Sequence, residues 1–205
     1  MEFELKDIIA MAEEVKANPQ PTGDEYLDER REGVDGDRLY YRFFYELTKK
    51  YRPETIVELG GCRGTSAAHF AGGCRDTKVI TVDHHTDPGD DENKNMMLEA
   101  CANFHNMVYC QGWTCNEIYE EEKDEHHNGT GQNALPKVLA ELDGKLIDLL
   151  FIDSWHVLQQ AQRDWNAYKN LLKPNALVIC DDIAEGGPGS PIQGMTTFFK
   201  SLSVY

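Results

Sequence analysis

The sequence lacks a long hydrophobic run: in its 205 residues no window approaches the roughly 18 apolar residues of a membrane-spanning helix. Its start, MEFELKDIIAMAEEVKANP, has neither the basic leading region nor the unbroken apolar core of a secretory signal, so we expect that the protein is not exported. Its six cysteines include no C-x-x-C pair, and a chain of this size does not need disulfides for stability. We therefore expect a cytoplasmic protein with reduced thiols and no membrane partner.

Basic residues are scarce as well. The chain has 20 Lys and Arg against 36 Asp and Glu, which gives a formal net charge of −16 at pH 7. Such a surface repels phosphate backbones, whose binding depends on Lys and Arg to displace counterions. The charge therefore disfavours a nucleic-acid partner.

The length fits one domain, since 205 residues with 40% apolar composition are enough for one packed core and too few for two. In residues 1–36 we predict a helix over Phe3–Val15 and then, over Pro19–Gly36, a polar surface loop that could cover a site. Residues 37–205 are predicted to form the main domain, which begins with a helix over Asp37–Tyr51.

Five short runs of β-branched or large apolar residues predict strands that are covered on both faces. They are Thr55–Leu59, Val79–Val82, the weaker Met107–Cys110, Ile147–Ile152 and Ala176–Cys180. Because these runs alternate with helical stretches, we predict an α/β fold, a mostly parallel sheet with helices on both faces. The least regular segment, Thr114–Gly144, is predicted to hold a helix, an exposed loop and a second helix.

Polar residues or glycines follow every predicted strand, at the edge where open parallel sheets bind ligands. They are Glu58 and Gly60, Asp83 and His84, Gly112 and Thr114, Asp153, and Asp181 with Asp182. A single position of this kind can be a helix cap or a turn. Five coordinated strand ends favour a binding site.

The first of these turns, Glu58–Gly64, reads ELGGCRG. If the dinucleotide pattern G-x-G-x-x-G ended on Gly64, it would need a glycine at position 59. Leu59 stands there, so an NAD site is disfavoured. The turn resembles instead the first motif of class I S-adenosylmethionine-dependent methyltransferases, with outer glycines at Gly60 and Gly64. Most of that family has a further glycine at the position of Cys62, but the catechol O-methyltransferase-like branch does not. Glycines would let the backbone approach the cofactor closely, beside the N–H groups of the following helix.

Two later phrases carry the stronger resemblance, IDLLFIDSWH at residues 147–156 and LKPNALVICDDI at residues 172–183. They resemble the fourth and fifth strands of the metal-dependent O-methyltransferases, a group that includes catechol, caffeoyl-CoA, sugar and antibiotic-tailoring enzymes. The resemblance runs from about residue 37 to residue 199 and implies a Rossmann-like fold.

The resemblance implies that Asp153, Asp181 and Asp182 bind a divalent metal ion. Three carboxylates that converge from neighbouring strands would repel one another without a cation. Oxygen ligands of this kind suit Mg²⁺, Mn²⁺ or Ca²⁺ better than Zn²⁺. The expected cofactors are therefore S-adenosylmethionine and Mg²⁺, or Mn²⁺ or Ca²⁺ in its place.

The resemblance also implies that Trp155 packs on the adenine and that His156 deprotonates the acceptor hydroxyl. His156 and Asp153 are therefore the predicted catalytic residues. A core position for Trp155 and a helix-capping role for His156 are the alternatives. Asp83 stands about 20 residues after the first turn, where a carboxylate can accept both ribose hydroxyls. The predicted cofactor-binding residues are Glu58, Gly60, Gly61, Gly64, Asp83, His84, Gly112, Trp113, Thr114, Asp153 and Trp155.

The chain departs from these relatives in two places. They usually continue past the fifth strand with a helix and an antiparallel hairpin, whereas this sequence stops at Tyr205. We therefore expect a C-terminal hairpin that is shortened or absent, or a sheet completed by another subunit of a homo-oligomer. The third strand end also lacks the acidic residue that many relatives place near the adenine, which leaves Thr114 or the backbone to bond the ring.

The implied function is transfer of a methyl group from S-adenosylmethionine to an oxygen atom of a small polar acceptor, such as a sugar or a diol, assisted by a divalent metal ion. Two alternatives stay open. One is a metal-independent small-molecule methyltransferase in which Asp181 and Asp182 only position the substrate. The other is a non-catalytic module of the same fold that binds a cofactor or a partner.

Overall fold

A computed structural model describes residues 2–33, 39–85, 89–114, 133–154 and 157–181. The strands in these ranges are β1 (Thr55–Leu59), β2 (Lys78–Asp83), β3 (Met107–Gln111), β4 (Ile147–Ile152) and β5 (Leu172–Cys180). They form one parallel sheet in the order β3-β2-β1-β4-β5. The order reverses between β1 and β4, which is where open α/β sheets bind ligands.

Helices cover both faces of the sheet. They are α1 (Leu5–Ala17), α2 (Glu25–Gly33), α3 (Leu39–Tyr51), α4 (Thr65–Gly73), α5 (Asp91–Asn103), α6 (Leu135–Leu142) and α7 (Leu158–Tyr168). One buried core joins α3, α4 and α5 to the sheet, and a second joins α6 and α7 to its other face. Helix α1 packs on α3, and α2 packs on α4. The predicted Rossmann-like α/β fold is confirmed.

The neighbouring strands β1 and β4 are buried along their whole length because helices cover both of their faces. Successive side chains point to opposite faces, so Ile56 enters the core beside α3 to α5 and Val57 enters the core beside α6 and α7. The backbone N–H of Asp153 donates to the carbonyl of Leu59 at 2.8 Å. This register brings the ends of β1 and β4 to the same edge of the sheet.

Aromatic side chains fix α3 and α4 to the sheet. The ring of Phe44 in α3 lies 4.4 Å from that of Phe70 in α4 and 4.9 Å from that of Phe151 in β4, between centroids. All three side chains are buried, and truncation of such a ring to alanine costs about 3–5 kcal/mol. The dense aromatic pattern that predicts this helix therefore reflects its packing on two neighbours.

The surface loop predicted over Pro19–Gly36 is wrong over Glu25–Gly33, where the chain forms α2. This helix has few apolar residues, so its sequence shows no amphipathic pattern. It is held instead by Leu27, which is fully buried, and by Arg30. Arg30 is also buried, and it donates hydrogen bonds to residues far along the chain. A helix anchored by one leucine and one arginine lacks the periodicity on which the prediction depends.

The predicted fifth strand, Ala176–Cys180, begins too late, because β5 starts at Leu172. Pro174 and Asn175 favour a turn in the sequence, and Asn175 does adopt a left-handed φ of +63°. The pairing with β4 nevertheless begins before them and shifts register between Ile147 and Leu149. The strand therefore contains the irregularity instead of starting after it.

Some predicted features lie outside the described residues. These are the first helix and the loop of the Thr114–Gly144 segment, and the shortened or absent hairpin after β5. The second helix of that segment is observed as α6. In the ranges that the structure describes, every helix is too short or too polar to cross a bilayer.

Candidate functional site

A cleft of about 290 Å³ opens at the carboxyl ends of the strands, where the strand order reverses. Its lining residues are Gly60, Cys62, Asp83, His84, Gly112, Trp113, Thr114, Asp153, Ser154 and Gln160. A larger cavity of about 470 Å³ lies between α1 and α3, away from the strand ends. Four of its charged groups form two ion pairs, Arg42 with Glu46 and Lys50 with Asp7. The smaller cleft is therefore the candidate site, because it is where the fold places ligands.

Two glycines give the loop after β1 its shape. Gly60 has a φ of +92° and Gly64 a φ of +78°, angles that residues with a side chain rarely adopt. A Cβ atom on Gly60 would also lie 2.1 Å from the backbone oxygen of Asp153. The loop can therefore close against the end of β4 only with glycine at this position.

Cys62 holds a left-handed backbone as well, with a φ of +43°. This angle explains why glycine is common there in similar loops, and cysteine pays a small strain for it. The exposed Cys62 lines the cleft, and its backbone N–H donates to the Asp83 carboxylate at 2.7 Å. The loop is thus tied to the end of β2.

Asp83 is the acceptor group at the centre of the cleft. His84 lies 3.2 Å from its carboxylate, between Nδ1 and Oδ1. Burial by itself would raise the pKa of Asp83, but the hydrogen bond from His84, the nearby His85 and the Cys62 N–H together hold that pKa below its usual value. The side chain is therefore ionised near neutral pH and can accept hydrogen bonds from a ligand hydroxyl.

A flat aromatic wall stands beside Asp83. The rings of His84 and Trp113 stack with centroids 4.3 Å apart and planes inclined by 12°. The two residues come from the ends of β2 and β3, and both line the cleft. Together with the nearby carboxylate, this wall suits a ligand that has a planar ring joined to a polyol.

Glu58 is placed behind the loop and is not among the cleft-lining residues. Its carboxylate is fully buried and accepts hydrogen bonds from Ser66 and, at 2.5 Å, from Thr81. Burial raises the pKa of Glu58 to about 7, against the lowering effect of these two bonds. A Cβ atom on Gly61 would lie 2.1 Å from the Thr81 hydroxyl. Glu58 therefore supports the loop from the core side, through Ser66 and through Thr81, against which Gly61 packs.

The predicted metal ligands Asp153 and Asp181 follow two paired strands, with Ile152 opposite Cys180 in register. Asp153 lines the cleft, and the backbone N–H of Asp181 donates to the carbonyl of Ile152 at 3.0 Å. In the described part of the chain, no group of three or more His, Cys, Asp or Glu residues could hold a metal ion. The predicted residues Trp155, His156 and Asp182 lie outside the described residues.

A buried polar network under the cleft was not predicted from the sequence. Asp164 of α7 is fully buried and accepts hydrogen bonds from Thr114 at 2.6 Å, from Gln160 at 2.9 Å and from Ser154. The Thr114 hydroxyl therefore donates its proton to Asp164. The sequence predicts instead that this hydroxyl, or the backbone, bonds the adenine ring. Gln160 and Asp164 stand four residues apart, and their place on the apolar face of α7 is the signal that could have identified them.

Comparison with protein families gives one match. The model of the family described as Methyltransferase domain matches residues 57–183. The matched region runs from the middle of β1 past the end of β5 and includes the cleft. Among curated proteins, no sequence matches the chain.

Solved methyltransferase structures have a similar fold. The Podospora anserina methyltransferase PaMTH1 bound to S-adenosylhomocysteine (SAH) is 17% identical with a TM-score of 0.61, and the match covers 100% of this chain and 89% of that one. The Bacillus cereus O-methyltransferase in complex with SAH is 14% identical with a TM-score of 0.56, covering 98% and 80%. The Streptomyces achromogenes O-methyltransferase TomG, involved in tomaymycin synthesis and in complex with S-adenosylmethionine, is 16% identical with a TM-score of 0.55, covering 100% and 81%.

Proposed function

The chain belongs to the family of methyltransferase domains, and we propose that it transfers a methyl group from S-adenosylmethionine to an oxygen atom of a small polar acceptor. The observation that carries the proposal is the cleft. The Gly-rich loop after β1 (residues 60–64), the Asp83 carboxylate and the stack of His84 on Trp113 meet there. The similar structures that hold SAH or S-adenosylmethionine support this ligand.

Each part of the cleft suits one part of the cofactor. The backbone of Gly60 can approach the methionine moiety, and no side chain caps the first turn of α4, whose N–H groups favour a carboxylate. Asp83 is ionised and can accept the ribose hydroxyls. The aromatic wall of His84 and Trp113 can pack on the adenine.

The reaction is a direct displacement. The acceptor oxygen forms a bond to the methyl carbon while the bond from that carbon to the sulfonium sulfur breaks, and SAH leaves with the electron pair. The hydroxyl proton passes to a base, for which we assign His156 because an imidazole titrates near neutral pH. Catalysis then depends mainly on holding the acceptor in line with the methyl group.

A divalent metal ion on the acceptor side is part of the proposal. Asp153 and Asp181 follow neighbouring strands, which lie about 4.8 Å apart in parallel sheets. Their carboxylate oxygens are the ligands that Mg²⁺ prefers, and Asp182 is assigned as the third. When bound, such an ion would lower the pKa of an acceptor hydroxyl.

The acceptor itself is proposed to be small and polar, such as a sugar or a diol. The cleft volume of about 290 Å³ is at the lower end of the range for ligand pockets, which supports a small acceptor. The net charge of −16 disfavours a polyanionic acceptor.

The test is methyl transfer from methyl-labelled S-adenosylmethionine to a panel of catechols, sugars and aliphatic diols, with and without Mg²⁺ and a chelator. Labelled ether product that requires the protein supports the proposed function. Product that is insensitive to chelator supports the metal-independent alternative. SAH binding without product from any acceptor supports a non-catalytic cofactor-binding module.

A further inference from the structure

Arg30 lies outside the cleft, yet its guanidinium group reaches the loop that shapes the cleft. It donates to the backbone carbonyl of Arg63 and, at 3.3 Å, to the hydroxyl of Thr65. It also donates to the backbone carbonyl of Met96 in α5 at 3.0 Å. Only 5% of Arg30 is exposed to solvent. One buried cation of the N-terminal segment thus joins α2, the Gly-rich loop, the start of α4 and α5.

From these contacts we infer that Arg30 is a positioning residue, which holds the Gly-rich loop in the shape that binds the cofactor. The inference rests on the proposed function, because the ligand of the loop is taken to be S-adenosylmethionine. Arg30 does not line the cleft. It acts through the loop and contacts none of the reacting atoms.

The peptide group between Arg63 and Gly64 is fixed at both ends. Its carbonyl accepts from Arg30, and its N–H, which belongs to Gly64, donates to the carbonyl of Gly61 at 2.6 Å. The other side of the loop is fixed by the bond from the Cys62 N–H to Asp83. Loss of Arg30 would remove the partner of the Arg63 carbonyl, and the N–H of Gly64 would then hold this peptide group alone.

Arg30 also holds the surface on which the loop rests. It bonds the carbonyl of Met96, and the next residue, Met97, packs under the loop so closely that a Cβ atom on Gly64 would lie 2.8 Å from its sulfur. A change at Arg30 therefore affects the loop directly and through α5.

The guanidinium group is itself positioned before any ligand binds. Tyr26, one turn earlier in α2, accepts from its Nη1 at 2.7 Å, and Glu99 lies 3.9 Å from the same atom. A buried guanidinium group that loses such partners destabilises the folded protein. These contacts therefore keep α2 packed in the orientation in which Arg30 reaches the loop. Lysine cannot replace this arrangement, since it lacks the planar fork that reaches several carbonyls at once.

The experiment compares Arg30→Met, Arg30→Lys and Leu27→Ala with the wild-type protein. Leu27→Ala is the matched control, because Leu27 is fully buried in the same helix and the substitution weakens α2 without removing the guanidinium. SAH affinity is measured by calorimetry and stability by thermal melting. Amide hydrogen exchange of residues 60–64 in the ligand-free protein reports the shape of the loop separately.

We expect Arg30→Met to weaken SAH binding by about tenfold or more, with a smaller loss for Arg30→Lys, and to speed exchange at residues 60–64. Leu27→Ala should lower the melting temperature at least as much while SAH affinity and loop exchange stay near wild type. Unchanged affinity in Arg30→Met, or an equal loss in Leu27→Ala, would overturn the inference.

A wild-type protein that does not bind SAH would contradict the proposed function, and loop exchange would still decide the role of Arg30. Faster exchange at residues 60–64 in Arg30→Met but not in Leu27→Ala supports that role without any ligand. Equal exchange in the two variants overturns it.

Discussion

The backbone N–H of Cys62 donates a 2.7 Å hydrogen bond to the carboxylate of Asp83. This bond joins the Gly-rich loop after β1 to the end of β2, so it fixes the position of the loop relative to the Asp83 carboxylate. Cys62 is exposed and lines the same cleft as Asp83. The rate of chemical modification of the Cys62 thiol should therefore depend on whether a ligand occupies the cleft.

SAH should protect Cys62 from a thiol reagent. Among the cysteines in the described ranges, Cys62 is the exposed one, whereas burial raises the pKa of Cys110 to about 11 and that of Cys180 to about 12. Those two thiols stay protonated near neutral pH and react slowly. Peptide mapping of maleimide-labelled protein should show rapid labelling of Cys62 that slows when SAH is present.

The control is Cys62→Gly, in which the rapid phase should disappear. Glycine fits the φ of +43° without strain, so the melting temperature should change little. Labelling of Cys62 at the same rate with and without saturating SAH would place the ligand elsewhere.

Gly60→Ala should destabilise the protein more than Gly89→Ala. Both glycines have a positive φ, at +92° and +99°, so both substitutions carry the same backbone strain of about 1–2 kcal/mol. A Cβ atom on Gly60 would lie 2.1 Å from the oxygen of Asp153, whereas one on Gly89 would meet no atom within 4 Å. We expect a total loss of about 2–5 kcal/mol for Gly60→Ala in urea denaturation. Equal losses would mean that the loop does not close on β4 as described.

Glu58 should make the wild-type protein less stable as pH rises. Burial raises the pKa of Glu58 to about 7, so between about 4.5 and 7 the folded state keeps a proton that the unfolded chain has lost. Stability from this group is therefore fully present below that range and falls by about 3 kcal/mol across it. Glu58→Gln, measured by urea denaturation at several pH values, should lack the decline.

The matched control is Glu13→Gln on the exposed face of α1. It should keep the wild-type pH dependence, because its side chain is in solvent. A Glu58→Gln variant with the same slope as wild type would show that Glu58 titrates normally.

Mg²⁺ or Mn²⁺ should raise the melting temperature of the wild-type protein, because an ion that binds only the folded state stabilises it by mass action. Asp181→Asn should reduce that shift and abolish methyl transfer, with little loss of SAH affinity, since the proposed cofactor site is at the ends of β1 and β2. If both ions leave the melting temperature unchanged and chelator leaves turnover unchanged, the metal-assisted mechanism is wrong.

The sequence predicts the sheet well because β1, β2 and β4 are short, mostly apolar runs, which helices cover on both faces. It also identifies most of the cleft, since Gly60, Asp83 and Trp113 all follow strands. Parallel strands deliver their carboxyl ends to one edge, so these positions can be grouped without knowledge of side-chain contacts.

The sequence does not predict the parts of the site that depend on contacts between distant residues. Arg30 and Asp164 are buried charged residues in helices. The partners of Arg30 in the loop, α4 and α5 are 33 to 66 residues away, and one partner of Asp164 is 50 residues away. Charged residues are usually exposed, so residue type indicates burial for neither of them, and only Asp164 has a signal, its place on the apolar face of α7. Likewise, Glu58 ends a strand like the other candidates, and only the packing of Ser66 and Thr81 around it shows that it faces the core.

The most direct test of the account is calorimetric titration of SAH into the wild-type protein, Asp83→Ala and Asp7→Ala. Asp7 lines the larger cavity between α1 and α3 and serves as the control for that alternative site. We predict that the wild type and Asp7→Ala bind SAH equally, and that Asp83→Ala loses on the order of 1–3 kcal/mol because the ribose hydroxyls lose their acceptor. No binding by the wild type, or wild-type affinity in Asp83→Ala, would contradict a cofactor site at the ends of β1 and β2.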